Sequence, residues 1–201
     1  MRTYDLVKKA VTAKNYKWFD GNLNLNVIWE RTSDTITNMF TDFLHIVYTE
    51  NNINKILTLP ATTKPGIKGA IDSPITYEGI TGTSIIIPEQ YLSTWEFRDT
   101  NTEFSEYPYF RQIKGINYWR DGNKDLVVDH TQEQDSKIFG THWHKMSNIA
   151  TYGSGLVNNW SLGCMGCPEP IWYAFLPIAR ESVKIYGNVF TGTILETSDF
   201  I

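Results

Sequence analysis

Short segments in which apolar and polar residues alternate constrain the fold of this chain more than any other feature. In GNLNLNVIWER, Leu23, Leu25, Val27 and Trp29 fall on one face and asparagines fall on the other, which predicts a half-buried strand. FLHIVYTENNINKILTLPATT predicts a hairpin with an Asn-rich turn. Further strands are predicted in TGTSIIIPEQY, FRQIKGINYWRDGNKDLVVDH, KIFGTHWHK and NVFTGTILE. We therefore expect a mainly β fold.

Two segments have helical rather than strand periodicity. TYDLVKKAVTA, near the N-terminus, predicts a short amphipathic helix. PEPIWYAFLPIARESVKIYG predicts a second helix that ends at Gly187, and Pro177 is expected to kink or divide it. The segment between Trp95 and Tyr109 is polar and aromatic, which predicts a long loop. The pattern as a whole predicts an α+β domain in which strands dominate and a helix lies near each end.

Composition excludes several classes of function. The net charge is −4 and the pI is near 5.6, so no bulk attraction to nucleic acid or to an anionic membrane is expected. The first residues lack the apolar core and cleavage site of a signal peptide. No apolar stretch approaches the roughly 18 residues that a membrane-spanning helix needs. The 7 Trp, 11 Tyr and 10 Phe favour a β-rich aromatic core over a groove that stacks on sugars or peptides.

Both cysteines lie close together in WSLGCMGCPEP, as Cys164 and Cys167, and they follow two histidines in FGTHWHK. His142 and His144 are two residues apart in a strand-like segment, so both point to the same face. Two interpretations are open. The four residues form a tetrahedral zinc site, or one histidine is the general base for one cysteine nucleophile.

The other two histidines and the second cysteine are not expected to take part in this chemistry. His45 lies in the alternating segment DFLHIVY, where a buried histidine with satisfied hydrogen bonds is expected, and His130 is expected to be solvated. Cys167 is interpreted as a bystander that packs as a small apolar residue. The alternative for Cys167 is a disulfide that masks Cys164 under oxidising conditions.

The spacing of the motif favours the nucleophile interpretation. Sixteen residues lie between His144 and the Ser-Leu-Gly-Cys run that ends at Cys164. FGTHWHK followed by WSLGC resembles the signature of the L,D-transpeptidase catalytic domain (YkuD-type), in which a strand His, a spacer of this length and Ser/Thr-x-Gly-Cys follow one another. Counted from His142 the spacer has eighteen residues, which is longer than the signature. The resemblance therefore maps His144 to the base and Cys164 to the nucleophile.

A short branch of this family, encoded in bacteriophage genomes, resembles more of the chain. The similar segments are YDLVKKAV, FLHIVY with KILTLPATTKPG, GTSIIIPEQYLSTWEF and YPYFRQIKGINYWRDGNKDLVVD. The resemblance implies one L,D-transpeptidase-like domain over residues 1–201, a β-sandwich or barrel. Residues 1–20 would be an N-terminal helical segment and residues 21–201 approximately the catalytic core.

The chemistry that the resemblance implies is acyl transfer on the stem peptide of peptidoglycan. Cys164 would attack a carbonyl next to a D-centre and form an acyl-enzyme, and His144 would take and return the proton. The backbone N–H groups of Gly163 and Cys164 would stabilise the oxyanion, and Ser161 belongs to the same catalytic motif. An amine acceptor gives transpeptidation and water gives hydrolysis. No cofactor and no metal is implied.

Substrate recognition is where the sequence departs from the family. Gly166 stands where family members have an Arg that holds a substrate carboxylate, and Lys145 replaces the Gly after the motif His. The candidate substrate-binding residues lie in or near the two motifs and in the Y-W-R-D segment: His142, Trp143, Trp160 and Arg120. Arg120 is the candidate to replace the missing carboxylate clamp.

The phage branch implies a cell-wall hydrolase or endolysin. Such a protein is made in the host cytoplasm and acts on the bacterial wall, in lysis or as part of the virion. Two alternatives remain. One is a catalytically silent phage structural or wall-binding protein with the same fold. The other is the zinc-stabilised domain that uses His142, His144, Cys164 and Cys167.

Overall fold

The structure is a computed structural model that describes residues 2–72, 76–77, 80–99, 106–130, 132–148 and 155–201. In these residues the α-helices are α1 (Tyr4–Ala13) and α2 (Glu169–Tyr186). The strands are β1 (Asn26–Arg31), β2 (Asp42–Glu50), β3 (Ile53–Ala61), β4 (Thr76–Tyr77), β5 (Ile80–Thr81), β6 (Thr83–Ile86), β7 (Gln90–Arg98), β8 (Tyr109–Gln112), β9 (Ile116–Asp121), β10 (Gln132–Lys137), β11 (Trp143–Lys145), β12 (Met165–Cys167) and β13 (Val189–Glu196). Short helical turns occupy Lys68–Asp72, Asn158–Trp160 and Thr197–Asp199.

Eight of the strands form one sheet in the order β12-β11-β8-β7-β13-β1-β2-β3. Its two edges meet where Thr62, just after β3, and Gly166 in β12 exchange both backbone hydrogen bonds, at 2.8 and 3.1 Å. The sheet is therefore a nearly closed barrel. A smaller sheet, β10-β9-β6, lies beside it. The predicted mainly β, α+β architecture with a helix near each end is confirmed.

Aromatic side chains fill the core of the barrel, as the composition predicts. Trp29, Trp95, Trp143, Trp172 and Phe110 are all fully buried. Their rings touch at stacked and tilted angles, with centroids 4.3 Å apart in the closest Trp–Trp pair. Aromatic pairs of this kind add stability beyond the area they bury, by about 0.5–1.5 kcal/mol each.

The first strand differs from its prediction in both length and exposure. It begins at Asn26 instead of the preceding leucines, because Leu23 has a positive φ of 58° and lies in a turn. Every residue of β1 is buried, so the strand is not half-buried. The reason is α1, whose Val7 and Val11 pack over Ile28 on the outer face of the sheet.

Helix α2 is continuous through Pro177, so the predicted division of the helix is wrong. Proline removes one helical N–H, which leaves the carbonyl four residues earlier without its partner. That residue is Tyr173, which is exposed, so water can serve its carbonyl. The apolar face of α2, with Trp172 and Phe175, packs on the barrel core. Among the described helices, none combines the length and the apolar character needed to cross a bilayer.

Two further segments correct the sequence prediction. Strand β7 continues to Arg98, so the predicted long loop from Trp95 begins later than expected, and its residues 100–105 lie outside the described residues. After Asp121 the chain bends instead of returning at once as a strand, and β10 begins only at Gln132. The strand structure predicted in FRQIKGINYWRDGNKDLVVDH therefore ends at Asp121, and a wide connection leads to β10.

Candidate active site

The parallel pair β11 and β12 positions the predicted base and nucleophile. His144 lies opposite Gly166 in this pair, and continuing the register places Cys164 opposite His142. Side chains alternate between the two faces of a strand, so Cys164, His142 and His144 share one face. Their partial exposure agrees with this placement, because the residues between them are buried. The fold brings the two sequence motifs together.

The same alternation turns Trp143 into the core. Trp143 is 0% exposed and stacks on Trp95, with ring centroids 4.3 Å apart. A side chain enclosed in this way has no surface left for a substrate. The prediction that Trp143 binds substrate therefore does not fit the structure, and the residue is part of the scaffold beneath the site.

Cys167 also faces the core, on the opposite side of β12 from Cys164. It is fully buried and both thiols are free, and burial raises the pKa of Cys167. This position fits the predicted bystander and does not fit a zinc site shared with Cys164, His142 and His144. Within the described part of the chain, no group of three or more His, Cys, Asp or Glu residues is arranged to hold a metal.

Ser161 holds together the turn that carries Cys164, the predicted nucleophile. Its hydroxyl donates to the carbonyl oxygen of Cys164 at 2.8 Å and accepts the N–H of Gly163 at 3.1 Å. Ser161 is 1% exposed, so it acts on the turn and not on a substrate. The Gly163 N–H, predicted to stabilise the oxyanion, is already used by Ser161. Within the described residues the N–H of Cys164 has no hydrogen-bond partner and is the remaining predicted oxyanion donor.

Gly163 is required by both conformation and space. Its φ is +127°, a region that side chains disfavour, and an added Cβ would lie 2.3 Å from Oγ of Ser84. The Thr83 hydroxyl donates to the carbonyl of Leu162 at 2.7 Å. Strand β6 of the smaller sheet therefore supports the turn that presents Cys164.

The imidazole of His144 is fixed in one tautomer by the backbone. Its Nδ1 lies 2.6 Å from the carbonyl oxygen of Lys145, and because a carbonyl only accepts, Nδ1 carries the proton. The Nε2 atom keeps its lone pair and is able to accept a proton. Burial lowers the pKa of His144 to about 4, so the neutral, basic form is present at neutral pH.

Lys145 anchors the carbonyl that orients this imidazole. Its Nζ lies 2.9 Å from Oε1 of Glu169 and sits over the rings of Tyr107 and Trp160, at 4.8 and 5.8 Å from their centroids. The Tyr107 ring is 6.3 Å from the His144 ring. Trp160, a predicted substrate-binding residue, thus lies beside the base and is partly exposed. The sequence gives no signal for Tyr107 and Glu169, because they are far from the motif along the chain.

The thiol of Cys164 is a neutral donor in the resting structure. Its S–H donates to the carbonyl oxygen of Gly140 at 3.3 Å. Burial raises the pKa of Cys164 to about 11, and the backbone N–H of His142 offsets part of that increase. A thiolate is therefore not preformed. Transfer of the proton to His144 requires the thiol to rotate away from Gly140.

His142 differs from His144 in tautomer. Its Nδ1 accepts the backbone N–H of Gln112 at 3.1 Å, so the ring proton is on Nε2. Burial, with smaller contributions from the positive charges of His144 and Arg111, lowers the pKa of His142 to about 4. With its lone pair engaged by the backbone, His142 is placed to donate a hydrogen bond and not to serve as the base.

Gly166 is a glycine for a steric reason. An added Cβ would lie 2.0 Å from the carbonyl oxygen of His144 and 2.8 Å from side-chain atoms of Met146. No side chain fits at this position, where β12 is hydrogen-bonded to both β11 and Thr62. The arginine clamp that the family signature places here is excluded by the packing of these strands.

Arg120, the predicted replacement for that clamp, lies behind the nucleophile turn. Arg120 in β9 lies opposite Ser84 in β6, and Ser84 packs directly against Gly163. The guanidinium stacks on Phe139 at 4.0 Å and donates to the carbonyl of Gly82 at 2.6 Å. Arg120 is 1% exposed, so a direct contact with a substrate carboxylate does not fit its position.

Comparison with known proteins adds no assignment to this geometry. No family model matches the chain, and no curated protein and no solved structure gives a significant match.

Proposed function

We propose that this chain is an L,D-transpeptidase-like cysteine enzyme that acts on the stem peptide of bacterial peptidoglycan. The observation that carries the proposal is the placement of Cys164 and His144 on one face of two neighbouring strands, with the lone pair of His144 Nε2 available. The glycine turn before Cys164 supports it, because such a turn exposes a nucleophile and its backbone N–H.

In the proposed reaction, Nε2 of His144 takes the proton of the Cys164 thiol and the sulfur attacks the carbonyl carbon of a peptide bond. The Cys164 N–H stabilises the oxyanion of the tetrahedral intermediate. Collapse breaks the C–N bond, and His144 returns the proton to the departing amine. Water or a second amine then attacks the thioester, its proton passes to His144, and Cys164 is released as a thiol.

Substrate contacts are proposed for the partly exposed residues around this pair. Tyr107 and Trp160 form an aromatic surface beside His144, and Nε2–H of His142 is available as a hydrogen-bond donor. This set excludes Trp143 and Arg120, which are enclosed. The contacts therefore favour an extended peptide that lies across β11.

The biological setting of the proposal follows from the resemblance to the phage branch. A phage protein with this chemistry would be made in the host cytoplasm and would cut the host cell wall, as an endolysin or as part of the virion. Hydrolysis is the proposed outcome, with transpeptidation as the alternative fate of the same acyl-enzyme.

The test is mass spectrometry of products released from purified peptidoglycan by the wild-type protein and by Cys164→Ala. We expect wild type to release stem-peptide fragments and Cys164→Ala to lose at least about 1,000-fold in rate, because the acyl-enzyme cannot form. Fragment masses identify the bond that is cut. Undiminished release by Cys164→Ala would remove the assignment.

Cys167→Ala is the matched control, since it removes the other thiol of the same motif from the core face. We expect it to keep the activity and to lose only some stability. Equal loss of activity in both variants would point to a general effect on folding in place of a nucleophile.

The resting geometry favours one second candidate, a wall-binding protein without catalysis. The Cys164 thiol is hydrogen-bonded to the carbonyl oxygen of Gly140. No arginine side chain fits at Gly166, where the family signature has its clamp. Sedimentation of the protein with peptidoglycan without any product, equal for wild type and Cys164→Ala, would support this candidate over the enzyme.

A further inference from the structure

A cavity of about 480 Å³ lies at the end of β1. Its walls come from the ends of β1 and β13, from the segment after each, and from Lys64 and His130. None of the described residues of the Cys164 site lines it. A volume of this size is within the range of small-molecule sites.

The cavity wall contains a buried cation with unused hydrogen-bond donors. Arg31 is 4% exposed, and its Nε donates to the hydroxyl of Thr63 at 2.9 Å. The two terminal nitrogens of Arg31 are buried, and within the described ranges of the chain they have no hydrogen-bond partner. Buried polar groups are nearly always paired, so a buried guanidinium with two unpaired nitrogens is a rare exception that calls for a partner.

The neighbouring carboxylates make their hydrogen bonds to groups other than Arg31. Asp42 accepts hydrogen bonds from Nζ of Lys64 at 2.8 Å and from the N–H and hydroxyl of Thr63 at 2.8 Å. The Glu196 side chain accepts the backbone N–H of Asp199 in a capping box. The charge of Arg31 is thus left without a hydrogen-bonded counterion in the described residues.

The remaining charges of the wall indicate what kind of anion fits. A guanidinium fork binds a planar carboxylate through two parallel hydrogen bonds. Asp34 and Glu196 also line the cavity, and they repel a dianion but attract an ammonium group. Positive and negative groups on one wall are complementary to a ligand that carries both charges.

We propose that the Arg31 cavity binds an amino acid or short peptide with a free carboxylate, which pairs with the guanidinium of Arg31 while the ligand ammonium faces Asp34 and Glu196. The proposal does not rest on the chemistry of Cys164. The binding site would retain its ligand even if the chain proved not to be an enzyme.

The test is a calorimetric titration of the Cys164→Ala protein, so that binding is measured without turnover. The probes are alanyl-alanine, its C-terminal amide, its N-acetyl form and inorganic phosphate. We expect saturable binding of alanyl-alanine and at least a tenfold weaker affinity for the amide, which cannot pair with Arg31. The N-acetyl form should bind several-fold more weakly, and phosphate more weakly than the dipeptide.

Variants assign the two ends of the ligand. Arg31→Met should weaken the binding of alanyl-alanine at least tenfold. Asp34→Asn should weaken the binding of alanyl-alanine several-fold and leave the binding of the N-acetyl form unchanged. The matched control is Arg180→Met. It removes an exposed arginine of α2 that pairs with Asp99, and it should leave the affinity unchanged.

Several results would overturn the proposal. These are equal affinity for the acid and the amide, tighter binding of phosphate than of the dipeptide, no saturable binding, or full affinity in a folded Arg31→Met protein. If circular dichroism shows that Arg31→Met does not fold, the comparison of acid, amide and phosphate on the protein with Arg31 intact still decides the question.

Discussion

Two histidines of the barrel, His45 and His144, have opposite surroundings. The ring of His45 is fully buried between Oε2 of Glu30 at 2.8 Å and the hydroxyl of Thr58 at 2.9 Å, so both ring nitrogens are engaged. The ring of His144 is partly exposed, and among the described residues its one hydrogen-bond partner is the carbonyl of Lys145. His45 therefore has the carboxylate that an active-site histidine often uses, whereas Nε2 of His144 makes no hydrogen bond to the described part of the chain.

A carboxylate beside a histidine is therefore not by itself a sign of catalysis. Burial raises the pKa of Glu30, but hydrogen bonds from His45, Arg2 and Thr197 outweigh it and bring the pKa down to about 2. Glu30 is thus a charge that several donors hold in place, which is a structural arrangement. The prediction that His45 is buried and satisfied is confirmed.

The two histidines should differ most in their effect on activity. His144→Gln removes the proposed base while keeping a polar side chain of similar size, and we expect a loss of about 100- to 10,000-fold in the rate of peptide release. His45→Gln should keep the rate within a few-fold. Assays of fragment release from purified peptidoglycan measure both, and a similar loss in the two variants would erase the distinction between them.

The reactivity of Cys164 tests whether His144 preforms a thiolate. Because burial raises the pKa of Cys164 from 9.0 to about 11, the thiolate fraction below pH 9 is about 100-fold lower than for an ordinary cysteine. Alkylation by iodoacetamide should accordingly be slow at pH 7 and rise about tenfold per pH unit toward pH 11. Mass spectrometry locates the label, and Cys167 in the core should remain unmodified. A rate that is already maximal near pH 7 would mean that His144 holds an imidazolium–thiolate pair.

Local patterns account for what the sequence predicted, and long-range packing accounts for what it did not. The hairpin of β2 and β3 and both helices follow from residues adjacent in the chain. The orientation of Trp143 can also be predicted from the sequence, because a residue between two histidines on one face of a strand must point to the other face. In contrast, the lack of space for a side chain at Gly166 results from the close approach of β11 and Thr62. No pattern within the motif itself indicates that approach.

The burial of Arg31 is a second feature that local sequence does not reveal. A charged pair at the end of a strand, as in Glu30-Arg31, is typical of an exposed strand end. Here both side chains are enclosed, because Arg2 from the N-terminal segment covers Glu30 and Thr63 covers Arg31. Both partners come from distant parts of the chain.

A moderate effect on stability is expected at His45, whose surroundings indicate a structural role. His45→Leu removes a hydrogen-bond partner from the buried carboxylate of Glu30, and we expect a loss of about 1–3 kcal/mol in the free energy of unfolding. Thr58→Val, which removes only the hydroxyl from the other ring nitrogen, should cost about 1 kcal/mol. Urea unfolding followed by tryptophan fluorescence measures both. A stability of His45→Leu equal to that of wild type would show that Arg2 and Thr197 suffice for Glu30.

The last prediction concerns the pH dependence of stability. The folded pKa of His144 is lowered from 6.5 to about 4, so the unfolded chain binds more protons between these values and stability falls as the pH decreases through this window. Glu30, lowered from 4.5 to about 2, loses its contribution in a separate and more acidic window. Asp121, raised from 3.8 to about 6, has the opposite slope.

The contributions of Glu30 and Asp121 cancel in the difference between wild type and His144→Gln. What remains is the contribution of His144 and the part of the His142 shift that the charge of His144 causes. We expect His144→Gln to lose less stability than wild type between pH 7 and pH 4.5, measured as the shift in the urea midpoint. Parallel midpoints at every pH would mean that His144 titrates equally in the folded and unfolded states. In that case His144 would be charged below pH 6.5, and the general base of the proposed reaction would lose its activity about 2.5 pH units above the pH that the structure implies.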